Sequence, residues 1–158
     1  MDISITRADL DDPALADFLV AHLRDMEPTA PPGSRHALDL AALRAPGVRL
    51  WTLHRDGELV GTVALSAVEP DHEEVKSMRV APAARGLGIG RVLLRHVLDD
   101  ALARGVERVS LETGSQEFFA PARALYSAHG FVPCAPFGGY RDDPNSVYLS
   151  WIPARMSP

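Results

Sequence analysis

Val80-Ala81-Pro82-Ala83-Ala84-Arg85-Gly86-Leu87-Gly88-Ile89-Gly90-Arg91 joins a strand-like apolar run to a long helical pattern. A glycine-rich turn in that position leaves the first N–H groups of a helix exposed, and they and the helix dipole form an anion site. The glycines keep side chains away, so that phosphate oxygens can approach those donors. Two common phosphate loops do not fit. A dinucleotide fingerprint beginning at Gly86 needs glycine at position 91, which is Arg91. A P-loop needs Gly-Lys-Ser/Thr, and that tripeptide is absent from the chain.

On the C-terminal side, Ile89, Leu93, Leu94, Val97, Leu98, Ala101 and Leu102 recur at three- and four-residue intervals, the pattern of a helix over 88–104 that Gly105 ends. A strand is predicted over 106–113, a last helix over 121–129, and strands near 131–132 and 146–151. On the N-terminal side, Ile3, Ile5 and Arg7 suggest a first strand, and Asp11-Asp12-Pro13 starts a helix to about Met26. A Pro-rich loop and a short helix over 38–43 follow. Val48 to His54 alternates as a strand, Asp56-Gly57 is a hairpin turn, and 59–68 returns. Residues 69–74 read as a polar loop and 75–80 as the third strand of a meander. The strand–helix–strand order makes 106–113 parallel to 75–80. The expectation is an α/β domain with a mixed sheet.

At 158 residues the chain is expected to be one domain, 1–158. Its 46% hydrophobic and 23% charged residues are those of a globular protein, and no apolar run approaches the ~20 residues that cross a bilayer. No secretory signal is visible, so a cytoplasmic location is expected. The net charge of −5 argues against binding nucleic acid with the whole surface, and a single cysteine, Cys134, excludes a disulfide framework or a cysteine-rich zinc site. The six histidines include no His-x-x-x-His pair. Asp71-His72-Glu73 reads as a solvated loop, so no metal is expected.

The glycine-rich turn resembles the Arg/Gln-x-x-Gly-x-Gly/Ala pyrophosphate loop of the GNAT superfamily of N-acetyltransferases, with Arg85, Gly88 and Gly90 at the defining positions. Ala122-Arg123-Ala124-Leu125-Tyr126-Ser127-Ala128-His129-Gly130-Phe131 is similar to that family in the expected order, and the tail resembles an uncharacterised bacterial subgroup. The resemblance implies a GNAT-like mixed, mostly antiparallel sheet flanked by helices, with parallel central strands splayed around the cofactor. It implies acetyl-CoA as donor, held by Arg85, Gly86, Leu87, Gly88, Ile89, Gly90 and Arg91 at the pyrophosphate and by the strand edge Met78, Arg79 and Val80 at the pantetheine. One position departs from the family: many members carry Asn seven residues before the helix tyrosine, where this chain has Phe119.

The reaction implied is direct attack of an amine on the thioester. The amine must lose a proton, its pKa being near ~10.4 if lysine-like, and the leaving thiolate gains one. The developing negative charge on the thioester oxygen needs a donor, which the family takes from a backbone N–H of the strand here spanning Met78 to Val80. Tyr126, at the family's tyrosine position, is the candidate acid; its alternative is a core tyrosine with a satisfied hydroxyl. Glu74 and Glu112 are both candidate bases, and each is also readable as a structural carboxylate. Cys134 reads as a small packed residue. The acceptor should be met by loops carrying Arg35 and His36, and Tyr140 and Asn145. Asp142 and Asp143 would favour a cationic amine, whereas Arg35, His36 and Arg141 would favour an acceptor bearing a carboxylate. The expected function is transfer of acetyl to a primary amine of a small molecule. A protein or peptide acceptor, or a non-catalytic acyl-CoA-binding module, stands as the alternative. A second copy of the chain is an admissible partner; nucleic acid and membrane are not expected.

Overall fold

A computed structural model describes residues 2–26 and 40–153. Seven strands form one sheet: β1 (Ile3–Arg7), β2 (Val48–Arg55), β3 (Glu58–Glu69), β4 (His72–Val80), β5 (Arg108–Gly114), β6 (Val132–Pro133) and β7 (Ser146–Trp151). Their order is β1-β2-β3-β4-β5-β7-β6. Every neighbouring pair is antiparallel except β4 and β5. The helices are α1 (Pro13–Met26), α2 (Leu40–Leu43), α3 (Ile89–Ala103) and α4 (Ala120–Ala128). The expected mixed, mostly antiparallel sheet flanked by helices is the one observed.

Alternation along the strands divides the core between two faces. On one, Leu53, Val63, Leu65, Val75, Val109, Leu111 and Leu149 pack with Ile89, Leu93, Leu94 and Val97 of α3 and Tyr126 of α4. On the other, Leu50 and Ala64 meet Leu15 and Leu19 of α1 and Leu43 of α2. The β2–β3 hairpin turns at Asp56 and Gly57, with φ of 52° and 84°, as the Asp-Gly pair requires.

One expectation is corrected. Residues 69–74 are not a polar loop. Only Pro70 and Asp71 turn, and β4 begins at His72. His72 and Glu73 are just 5% and 8% exposed rather than solvated. Their burial follows from distant partners: His72 Nε2 lies 2.7 Å from Ser110 Oγ, and Arg104 donates to both Glu73 carboxylate oxygens at 2.6 and 2.8 Å. Arg104 also holds Asp100, so the end of α3 is tied to the start of β4.

That tie fixes the strands where they still pair. Arg104→Ala would strand the Glu73 carboxylate in a largely buried place and should cost about 1–3 kcal/mol. Urea unfolding with an unchanged midpoint would show that the tie carries no stability.

Candidate active site

The parallel pairing of β4 with β5 covers only His72↔Arg108, Glu73↔Val109 and Glu74↔Ser110. Both strands continue, β4 to Val80 and β5 to Gly114, without pairing again. They therefore splay, and α3 and α4 flank the opening on one side of the sheet. β4 also bulges there: Ala64 pairs with Lys76 but Thr62 with Arg79, so two steps on β3 span three on β4. Ser77, inside the bulge, has a left-handed φ of 52°.

The glycine-rich turn lies at the start of α3. Pro82–Ala84 makes a single 3₁₀ turn, Arg85 is extended, and Gly88 is the N-cap of α3 with no side-chain cap. Gly86 and Gly88 have φ of 82° and 80°, and a Cβ at either would meet nothing within 4 Å. Their space is open to a ligand, as a phosphate cradle requires. Gly90 is glycine for another reason. A Cβ there would lie 3.3 Å from Leu125 of α4, so it lets the two helices approach. Gly86, Leu87 and Gly88 are exposed, whereas the Ile89 side chain is buried in the core. Arg91 and Arg95 line one groove of about 460 Å³ with Asp99, His129 and Trp151.

At the far end of the opening, Tyr126 is 8% exposed and its hydroxyl lies 3.9 Å from Met78 Sδ. Burial pushes its pKa up to about 12, with the charge of Glu112 adding to the effect. Glu74 stands at the last paired position of β4 and is 6% exposed. It accepts a short hydrogen bond from the Tyr140 hydroxyl, and Lys76 Nζ lies 3.6 Å away. Lys76 Nζ also sits 5.5 Å from the centre of the Tyr140 ring. Burial raises the Glu74 pKa; Lys76 and the Tyr140 hydrogen bond oppose that rise, and Glu112 reinforces it. The same burial, with Glu74 beside it, raises Tyr140.

Glu112 accepts from Ser146 Oγ at 2.7 Å. Its charge acts on Tyr126, Tyr140 and Glu74 alike, so both sequence-named carboxylates belong to one cluster. Asn145 does a different job. Gln116 Nε2 donates to its side-chain oxygen at 3.3 Å and the Ser115 N–H to its carbonyl at 3.1 Å, which joins the ends of β5 and of the loop before β7. Arg35 and His36 lie outside the described residues. Phe119, at the departing position, lays its ring over Gly114, where any Cβ would collide with it. Arg123 clamps the same strand end, donating to the carbonyls of Gly114 and Gln116. Cys134 accepts from Ser150 Oγ at 3.1 Å.

Sequence reasoning missed Lys76, Arg123 and the bond from Ser146 to Glu112. Lys76 had a readable signal, since it lies two residues from Glu74 and so shares its face of β4. The partners of Ser146 and Arg123 lie on other elements and leave no local signal.

Residues 14–131 match the family described as "Acetyltransferase (GNAT) family". The chain is 43% identical to the uncharacterised N-acetyltransferase YsnE of Bacillus subtilis over 129 residues, which cover 82% of this chain and 85% of that one. It is 40% identical to an IAA acetyltransferase of Azospirillum brasilense, over 85% of this chain and 86% of the other. Among solved structures, a candidate acyl-CoA N-acyltransferase from Klebsiella pneumoniae superposes with a TM-score of 0.77 at 29% identity, covering 94% and 95% of the two chains. With the glycine-rich turn at the head of α3 and the splayed parallel pair, these likenesses have one reading: the chain belongs to the acetyltransferase (GNAT) family and is an acyltransferase.

Proposed function

We propose that this chain, as one domain over 1–158 and in the cytoplasm, transfers acetyl from acetyl-CoA to a primary amine of a small molecule, by direct attack with both substrates bound. The observation that carries the reading is Glu74, a buried carboxylate with a raised pKa at the point where β4 and β5 part. In this reading the N–H groups of the turn from Gly86 to Arg91 bind the pyrophosphate, with Arg85 beside them. The edge formed by Met78, Arg79 and Val80 carries the pantetheine arm.

Glu74 takes a proton from the ammonium acceptor, directly or through a water. The freed lone pair attacks the thioester carbonyl carbon, the carbon–sulfur bond breaks, and Tyr126 gives its proton to the departing thiolate; the second proton that the nitrogen sheds as the amide forms returns through solvent to the Tyr126 phenolate. Glu112 keeps the cluster negative, which favours a cationic amine. Tyr140 orients Glu74 and forms part of the acceptor wall, and Asn145 holds the loop that carries it. Arg35 and His36 are proposed as further contacts to the acceptor. A small acceptor is favoured by the aromatic packing of Phe137, Tyr140 and Tyr148, with ring centres 5.2–6.0 Å apart.

Three outcomes are expected. CoA and acetyl-CoA should raise the melting temperature by similar amounts, because a ligand that binds only the folded state stabilises it by mass action. Gly88→Val, which places a branched side chain at a left-handed φ in the cradle, should abolish that shift. Gly90→Val would not serve as a control, because it would press on Leu125. Calorimetry showing no CoA binding to the wild type would overturn the reading.

Turnover, followed as CoA release with a panel of amines, should fall as pH drops through a value above the ordinary glutamate range, since the base must be ionised. Glu74→Gln should lower kcat roughly 10²–10⁴-fold and remove that acid limb. An acid limb retained in Glu74→Gln would move the base to Glu112.

Tyr126 stays protonated across the accessible range. Tyr126→Phe should therefore lower kcat by roughly 10²-fold without moving the acid limb. Unchanged turnover at every pH would remove Tyr126 from the chemistry.

A further inference from the structure

The bulge in β4 is held by a side chain of the neighbouring strand. Thr62, on β3, is completely buried and its hydroxyl donates to the Ser77 carbonyl at 2.8 Å. Ser77 is the residue whose φ of 52° is left-handed. That conformation is unfavourable for a residue with a Cβ and persists only where the surroundings enforce it. Ser77's own hydroxyl finds no partner among the described residues, so it does not supply the restraint. Thr62 does.

The consequence follows from peptide geometry. A trans peptide is planar, and its C=O and N–H point in opposite directions. The Ser77 carbonyl points towards Thr62 on β3, so the Met78 N–H, in the same peptide, points away from β3. On that side lies β5, which has stopped pairing four residues earlier at Glu74. The donor therefore faces the opening, next to the place where the Tyr126 hydroxyl lies against Met78.

We propose that Thr62 is a positioning residue for acetyl transfer: by holding the Ser77 carbonyl, its hydroxyl aims the Met78 N–H at the thioester oxygen. This rests on the acetyl-transfer reading above. Thr62 touches neither substrate and acts only through the orientation of one peptide. Ser could replace it, since the hydroxyl is what matters; Val, with the same shape and no donor, could not.

The test needs no acceptor. In wild-type protein that binds acetyl-CoA by calorimetry, isotope-edited infrared spectra of bound ¹³C-carbonyl acetyl-CoA should show the carbonyl stretch lowered from its value in water. The lowering should vanish in Thr62→Val and persist in Thr62→Ser, with acetyl-CoA affinity changed less than about threefold in both, because the pyrophosphate loop is untouched. An equal lowering in Thr62→Val would overturn the assignment of Thr62. Where Thr62→Val does not fold, wild-type NMR decides: the Met78 amide resonance should move on adding acetyl-CoA and not on adding CoA, which has no thioester. Equal movement with both would show that this N–H does not meet the carbonyl. Absence of any binding to the wild type would instead sink the acetyl-transfer reading itself.

Discussion

Parallel strands that stop pairing leave backbone donors and acceptors facing a gap, and in a folded protein such groups need partners. Here the gap begins after Glu74↔Ser110, and the parts of the site depend on where it begins. Upstream, His72 and Glu73 are locked by Ser110 and Arg104, so the strands cannot separate earlier. Downstream, the bulge at Ser77 shifts the register of β4 against β3 and turns Met78 and Val80 towards α3 and α4. A pantetheine arm supplies what the missing strand would have supplied, by the same backbone chemistry that adds a strand to a sheet edge.

The electrostatics obey the same geometry. A carboxylate beside an open gap would be solvated and of ordinary acidity. Glu74 is instead at the closed end, under Tyr140, and loses its water before it finds a full counter-charge. Lys76 compensates only in part at 3.6 Å, and it also stacks on Tyr140. The result is a carboxylate poised to accept a proton nearer neutral pH than a surface glutamate. Glu112, tied down by Ser146, adds a second negative charge that raises the Glu74 pKa further. Buried clusters of this kind destabilise a fold, and they persist where function requires them.

Much of this was legible in the chain, for identifiable reasons. The α3 periodicity, the Asp56-Gly57 turn and the crossover from β4 to β5 are local or nearly local signals, and each led to the observed element. The glycine-rich turn was legible because left-handed φ values at Gly86 and Gly88 leave few residue choices. The start of β4 was not, because His72-Glu73-Glu74 is polar and its burial depends on residues 31 to 38 positions away. Tyr140 could be named as a site residue from its loop, but its attachment to Glu74, 66 residues earlier, could not.

Gly90 shows how one motif can hide two physical demands. In the sequence the three glycines of this turn look alike, as if all were kept small for a phosphate. Gly86 and Gly88 satisfy that description, being exposed, left-handed and open. Gly90 is inside the helix and half-buried, and a Cβ there would press on Leu125 of α4 at 3.3 Å. There α3 passes close to α4, which carries Tyr126. The third glycine of the turn thus lies against the helix that carries the proposed acid, so the same short segment both opens the cradle and packs α3 on α4.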